Sequence, residues 1–427
     1  MNRPQLPVAT ALAASGGLAG AYGYRLVRHR RIGALGFELP EVPAVDDPAF
    51  GRQLESLTGA PVRPGNRVEL LRNGDKIFPA MLDAIAGAQH SIAFATYVYW
   101  TGTIAPRFAN ALCERAKAGV TVDVLLDAVG AAKMDRSLVQ ELRDAGCTVS
   151  WFRPPHWYSL HKLDHRTHRK ILVVDGTVGF TGGVGIAEEW TGNCEDPDHW
   201  RDTHLRIEGP AVRDLLGGFQ QNWSEATRTV LPPDRLPEIL PFDDGVPVHI
   251  TRSSATHGST EAEMLFFAAV AAARKNINLT TAYFAPRDGV VRALGEAVER
   301  GVEVRLLLNG PYGDKQLVRH SGRRTYRTLL ESGVRIFEYQ RTMVHAKIVT
   351  IDGAWSTTGS INVDNRSFAL KDELNASLFD ATLTAELDAH FEQDLADSEE
   401  ISLHRWRRRG LHHRAAEGVG DLVREEL

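Results

Sequence analysis

The chain repeats itself, and the repeat restricts the folds open to it. The segment AIAGAQHSIAFATYVY (84–99) parallels AVAAARKNINLTTAYF (269–284), each a helix end followed by an apolar strand. AGVTVDVLLD (118–127) parallels RGVEVRLLLN (300–309), and DAGCTVSWF (144–152) parallels ESGVRIFEY (331–339). THRKILVVDGTVGFTGG (167–183) then parallels VHAKIVTIDGAWSTTGS (344–360). The spacing between matched segments stays between 177 and 187 residues, so these are two copies of one unit with small insertions. Each copy alternates helical and strand patterns. That predicts an α/β fold of two lobes, each a mixed, largely parallel sheet flanked by helices.

The lobes are expected at 66–245 and 246–399, joined at the turn-rich PFDDGVP (241–247). A length of 427 residues suits such a pair. Residues 32–65, rich in Pro and Gly, read as an irregular linker. Residues 1–31 carry a weakly apolar stretch, VATALAASGGLAGAYG (8–23), followed by Arg25, Arg28, Arg30 and Arg31. It is marginal against the roughly 20 apolar residues that span a bilayer. A cleaved signal, a weak anchor and a disordered leader all stay open. If the stretch inserts, its basic flank places the lobes on the cytoplasmic side of a bacterial cell membrane, peripheral or weakly anchored. Residues 400–427 read as a charged tail around Trp406, either a solvated helix or an anionic membrane contact.

A net charge of -5 argues against general attraction to nucleic acid, so any phosphate site has to be local. Cys113, Cys147 and Cys194 lack metal-ligand spacing and read as reduced core residues.

Each repeat places a histidine, a lysine two residues on, and an aspartate five residues later: His168, Lys170, Asp175 and His345, Lys347, Asp352. In a strand, residues i and i+2 share a face, so each copy brings one imidazole and one ammonium towards a common point while Arg169 turns away. Asp175-Gly176 and Asp352-Gly353 are tight-turn signals. An odd step from the histidine takes both aspartates off the catalytic face, and they read as structural members of the motif. Gly182-Gly183 and Gly359-Ser360 follow, small enough for backbone N–H groups to approach an oxyanion. Asn362 adds a neutral donor.

HxKxxxxD followed by a small-residue pair resembles the phospholipase D superfamily, across nearly all of residues 66–400. HRKILVVDGTVGFTGG, WRDTHLRIEGPAV, AYFAP and DNRSFALKDELN resemble its bacterial cardiolipin synthase branch. The resemblance implies two phospholipase D-like lobes related by a pseudo-twofold axis, with both motifs meeting between them. It also implies a phosphohistidine route without metal or other cofactor: His168 as nucleophile, His345 as acid/base, with Lys170, Lys347 and Asn362 offsetting phosphoryl charge. Asp202 in WRD and Glu373 in KDEL occupy the places the family uses to orient the imidazoles, and Ser360 and Gly183 lie where phosphate is bound or a residue oriented. The chain departs from the family at Gly185, where Asn is usual, so the first half lacks a side-chain donor.

Tyr97, Tyr99, Trp100, Tyr283, Phe284, Trp151, Trp157 and Tyr158 are candidates for a lipid entrance or for core packing, and His161 and His165 for peripheral positions. The expected activity is phosphatidyl transfer from phosphatidylglycerol to give cardiolipin and glycerol, with an anionic phospholipid and a membrane surface as partners. Hydrolytic phospholipase D, a superfamily nuclease and an inactive lipid-binding module are the alternatives.

Overall fold

The computed structural model describes residues 37, 39, 41–155, 164–255 and 259–409. The apolar stretch 8–23, His161, Trp157, Tyr158 and the chain end after 409 lie outside the described residues.

The first repeat supplies β1 (Val62–Arg72), β2 (Ser91–Thr96), β3 (Thr121–Asp127), β4 (Thr148–Phe152), β5 (Arg166–Thr167), β6 (Ile171–Val174), β7 (Val178–Gly182) and β8 (Thr203–Glu208). The second supplies β9 (Val246–Ser253), β10 (Asn276–Thr280), β11 (Phe284–Ala285), β12 (Glu303–Asn309), β13 (Arg335–Tyr339), β14 (Ile348–Ile351), β15 (Trp355–Gly359), β16 (Val363–Asp364), β17 (Lys371–Leu378) and β18 (Ser398–Glu400). Sixteen of these strands form one sheet, in the order β18-β13-β12-β10-β14-β15-β17-β9-β1-β8-β7-β6-β2-β3-β4, with β5 added beside β17. The lobes are therefore not joined merely by a linker. They share backbone hydrogen bonds through β1 with β9, and through β17 with β5.

The sheet is mixed, but its parallel part is smaller than expected. Within the large sheet, parallel pairing is confined to β2-β3-β4, β10-β12-β13 and the short β5-β17 contact. The first two runs are joined by helical crossovers: Ile104–Lys117 and Arg136–Asp144 in the first repeat, and Asp288–Glu299 and the pair Gln316–Arg323 and Tyr326–Glu331 in the second. After each run the chain returns by hairpin, and a hairpin can only pair antiparallel. Asp175 and Gly176 have φ of 51° and 67°, and Asp352 and Gly353 have 57° and 66°. Positive φ at both central positions is what a tight hairpin turn demands, and Asp-Gly meets it at low cost.

The region expected to be linker holds a helix, Pro48–Thr58. Asp47 caps it by accepting from Ala49 N at 2.8 Å, Pro48 takes the first turn where no N–H is needed, and Gly59 closes it with φ 66°. Proline here starts the helix. Phe50 and Leu54 are buried in the core of the second repeat, with Phe50 edge-on to Trp355 at 5.7 Å between ring centres. Helix Glu261–Ala272, apolar on nearly every side, belongs to the same core. The expected tail also begins inside the fold: β18 pairs with β13, and Trp406 of helix Leu403–Arg407 is buried against Tyr326. Cys113, Cys147 and Cys194 are buried and free.

Helix Pro48–Thr58 thus belongs to the fold of the second repeat. Phe50→Ala is expected to lower unfolding stability by about 3–5 kcal/mol, as for a fully buried aromatic, measured by chemical denaturation. A change under about 1 kcal/mol would show that the helix is a dispensable appendage.

Candidate active site

His168 and Lys170 sit in an extended stretch between β5 and β6, and His345 and Lys347 in the equivalent stretch before β14. Each histidine segment is held by the other repeat. His168 N donates to Asp372 O at 2.8 Å, as β5 and β17 pair in parallel, and His345 N donates to Arg201 O at 2.7 Å across a parallel bridge. The acceptors immediately precede Glu373 and Asp202, so backbone pairing delivers a carboxylate to each ring.

The rings use that delivery. His168 Nδ1 lies 2.9 and 3.1 Å from the two Glu373 carboxylate oxygens and 3.2 Å from Ser360 O. His345 Nδ1 lies 2.7 Å from Asp202 Oδ2. Both contacts place a proton on Nδ1 and leave Nε2 with a lone pair. Asp202 is itself fixed, by Trp190 Nε1 at 2.9 Å and Thr203 N at 2.7 Å. All four groups are buried, with none more than 4% exposed.

The two half-sites differ electrostatically. Burial raises Asp202, but the His345 ring beside it and Lys347 outweigh that and hold its carboxyl below the usual range. Burial pushes Glu373 up to about 7 against the pull of Lys371 and Lys170. His345 is pushed down to about 3 by burial and then by Lys347, and His168 falls well below its usual value through burial, Lys170, Lys371 and Lys347. Burial also takes Lys347 down to about 8. Lys170 Nζ donates to His168 O at 2.9 Å, and Lys347 Nζ lies 3.0 and 3.1 Å from the two ring nitrogens of His345.

Asp175 and Asp352 stand at the other ends of these strands. Asp175 accepts from Gln89, His90 and Ser91 N–H at 2.7–2.8 Å, and Asp352 from Arg274, Lys275 and Asn276 N–H at 2.7–2.9 Å. Each carboxylate ties the hairpin turn to the start of a parallel strand. Arg169 turns away from the rings and donates to the carbonyls of Glu373, Gly218 and Ser253.

The small-residue pair serves packing. A Cβ on Gly183 would sit 2.2 Å from Asp202 Oδ1, and Gly183 N already donates to Thr203 O at 3.3 Å. Ser360 N and hydroxyl bond the backbone of Leu374, beside Glu373. Both residues make room for or hold an orienting carboxylate. Asn362 Oδ1 accepts from Tyr283 N at 3.2 Å, leaving its buried Nδ2 without a partner among the described residues. At Gly185 the matching space is filled: a Cβ there would meet Val98 Cβ at 2.7 Å.

The aromatic candidates divide. Tyr97 lies edge-on to His168 at 5.1 Å and Tyr283 edge-on to His345 at 6.3 Å. Tyr99 and Phe284 are core residues, Trp151 is half-buried on β4, and Trp100 packs on Trp190. Trp190 and Trp200, which the motifs did not single out, flank His345 at 5.0 and 5.6 Å. Lys371 was also missed, although it stands two positions before Glu373 and so shares its strand face. His165 contributes its carbonyl to Arg153 and Arg166, away from both rings.

The site thus holds two buried histidine–lysine pairs, each completed by a carboxylate of the other repeat. Residues 81–208 and 266–395 both match the family described as cardiolipin synthase, PLD-like domain. The chain belongs to this phospholipase D-like family. It is similar to cardiolipin synthase 2 of Bacillus anthracis, 36% identical over 356 residues, which are 83% of this chain and 69% of that protein. Cardiolipin synthase of Geobacillus sp. (strain WCH70) is 35% identical over 367 residues, 85% of this chain and 73% of the relative. The fold resembles the crystal structure of phosphatidylserine synthase from Haemophilus influenzae Rd KW20, with a TM-score of 0.66 at 12% identity, covering 88% of this chain and 100% of that one.

Gly183→Ala tests the packing account of the small pair. The added methyl displaces Asp202, and phosphodiester turnover is expected to fall about tenfold or more, as when an orienting group of a catalytic ring is lost, with native circular dichroism. Unchanged turnover would show that Asp202 does not need this space.

Proposed function

We propose that the chain transfers a phosphatidyl group from one phosphatidylglycerol to a second, releasing glycerol and forming cardiolipin. The observation that carries this reading is the pair of imidazoles, each with Nδ1 on a buried carboxylate, His345 Nε2 lying 3.1 Å from Lys347 Nζ, in a family of cardiolipin synthases. Double displacement at phosphorus requires two such groups.

His168 is the proposed nucleophile. Its Nε2 attacks phosphorus, the bond to the glycerol oxygen breaks, and His345 gives that oxygen a proton. The hydroxyl of the second phosphatidylglycerol then returns a proton to His345 while its oxygen displaces His168. Lys170, Lys347 and the unpartnered Asn362 Nδ2 offset charge on the non-bridging oxygens. The division of roles follows the carboxylates. An ionised, doubly anchored Asp202 stabilises an imidazolium at His345, and the arriving phosphodiester anion favours proton uptake there. Glu373, with its raised value, keeps the proton of a neutral His168 in place.

Transfer is favoured over hydrolysis by burial, since both rings are at most 4% exposed. A membrane surface would supply both lipids. Val129, Tyr312 and Leu317, each more than 40% exposed, lie on or just after the loops that follow β3 and β12. Those strands end beside the histidine segments, through Asp127 to Thr167 and Asn309 to Val344. We place the bilayer contact there. Among the described residues no helix is long and apolar enough to cross a membrane.

Purified protein given phosphatidylglycerol vesicles is expected to form cardiolipin and glycerol, with phosphatidic acid minor. Phosphatidic acid as nearly the sole product would replace this reading with hydrolysis. In the His345→Ala variant, labelled phosphatidyl is expected to accumulate on His168, and its recovery on another residue would reverse the roles. The pH profile of kcat/KM is expected to be bell-shaped. Activity falls below about 7 as Glu373 takes up a proton and above about 8 as Lys347 loses one. Persistence of the acidic limb in Glu373→Gln would contradict its assignment.

A further inference from the structure

Lys371 is buried to 5% exposure, and its ammonium makes no hydrogen bond or ion pair among the described residues. Its ammonium is not among the sealed, unpartnered atoms of the interior, so an arriving anion can meet it with a charge-assisted contact. Strand alternation puts Lys371 on the same face of β17 as Glu373. The intervening Asp372 points to the other side, where it accepts from Ser254 Oγ, Ala255 N and Asn222 Nδ2 at 2.7–3.2 Å. On top of burial, the charge of Lys371 reaches His168, Lys170, Lys347 and Glu373, so it borders the reacting groups without being one of the paired lysines.

Two more cations stand nearby. Arg366, in helix Asn365–Ala369 just before β17, has a buried Nε without a partner, and its charge acts on Tyr97, the ring beside His168. Lys315 is exposed on the loop after β12 and lies 4.4 Å from the centre of the Tyr283 ring. The neighbouring acids are occupied: Asp314 accepts from Tyr283 Oη at 2.9 Å, Asp364 caps Ser367 N at 2.7 Å, and Glu373 holds His168. Among the described residues none of these acids forms an ion pair with Lys371, Arg366 or Lys315.

We propose that Lys371, Arg366 and Lys315 form a second anion subsite that binds the phosphodiester of the acceptor lipid while Lys170 and Lys347 hold the phosphodiester being cleaved. The inference rests on the synthase reading and deepens it. A lipid alcohol that already carries a phosphodiester brings a second negative charge, and these residues select it over neutral alcohols and water.

The test uses the full chain in mixed micelles with phosphatidylglycerol as donor and lipid acceptor and ethanol as a neutral acceptor. The readout is the ratio of cardiolipin to phosphatidylethanol. Lys371→Gln combined with Arg366→Gln is expected to lower that ratio by about tenfold or more, the worth of one charge-assisted contact. The exposed Lys315→Gln lowers it in the same direction, and Lys371→Arg restores it. A constant ratio in the Gln variants, with both products falling together, would overturn the subsite and leave these residues as general electrostatic support. Phosphatidylethanol without cardiolipin from the unmutated chain would instead remove the synthase reading itself.

Discussion

Each imidazole of the two histidine–lysine pairs takes its orientation from a carboxylate on the other repeat, and the rest of the structure is arranged around that crossing. The crossing is made by backbone first. Parallel pairing of β5 with β17, and the matching bridge at Arg201 and Val344, bring Glu373 and Asp202 to the rings in register. A charge-assisted hydrogen bond of this kind contributes about 1.5–3 kcal/mol, and leaving either partner alone in the interior costs more than the pair gains. Neither repeat holds a complete site. The continuous sheet is the physical form of that dependence, because shifting one lobe against the other would break hydrogen bonds in the middle of the sheet.

Near-symmetry of sequence does not give equal chemistry. His345 is enclosed by Trp190 and Trp200 and faces a carboxylate held ionised, whereas His168 meets one raised towards neutrality with Tyr97 on its edge. Asn362 in one half answers to Gly185 in the other, where Val98 occupies the space. A duplicated unit has thus acquired two different histidine environments. The distinct roles proposed for the two rings rest on environment, since both belong to histidine–lysine pairs of the same motif.

Much of the fold was legible because its signals are local. The repeat, the strand alternation that aligns His168 with Lys170, and the Asp-Gly turns all act over a few residues. The helix at Pro48–Thr58 was legible in principle, through Asp47, Pro48 and Gly59, but prolines read as breakers obscured it. The proportion of parallel strands was misjudged because alternating helix and strand patterns do not show where the chain returns by hairpin. Asp202 and Glu373 were reached by resemblance, and their crossing between repeats was not visible at all, since it joins residues 143 and 205 positions apart. Lys371 was passed over because a lysine next to Asp372 and Glu373 reads as surface, while the two-residue strand period that shares its face with Glu373 was the available signal.

The crossing can be read most directly from the imidazole nitrogens. In nitrogen NMR of the histidine-labelled protein, His168 and His345 are each expected as the neutral form with the proton on Nδ1. Glu373→Gln should shift the His168 resonances and leave those of His345 nearly in place, and Asp202→Asn should do the reverse. Resonances of His345 that move with Glu373, or of His168 that move with Asp202, would contradict the account.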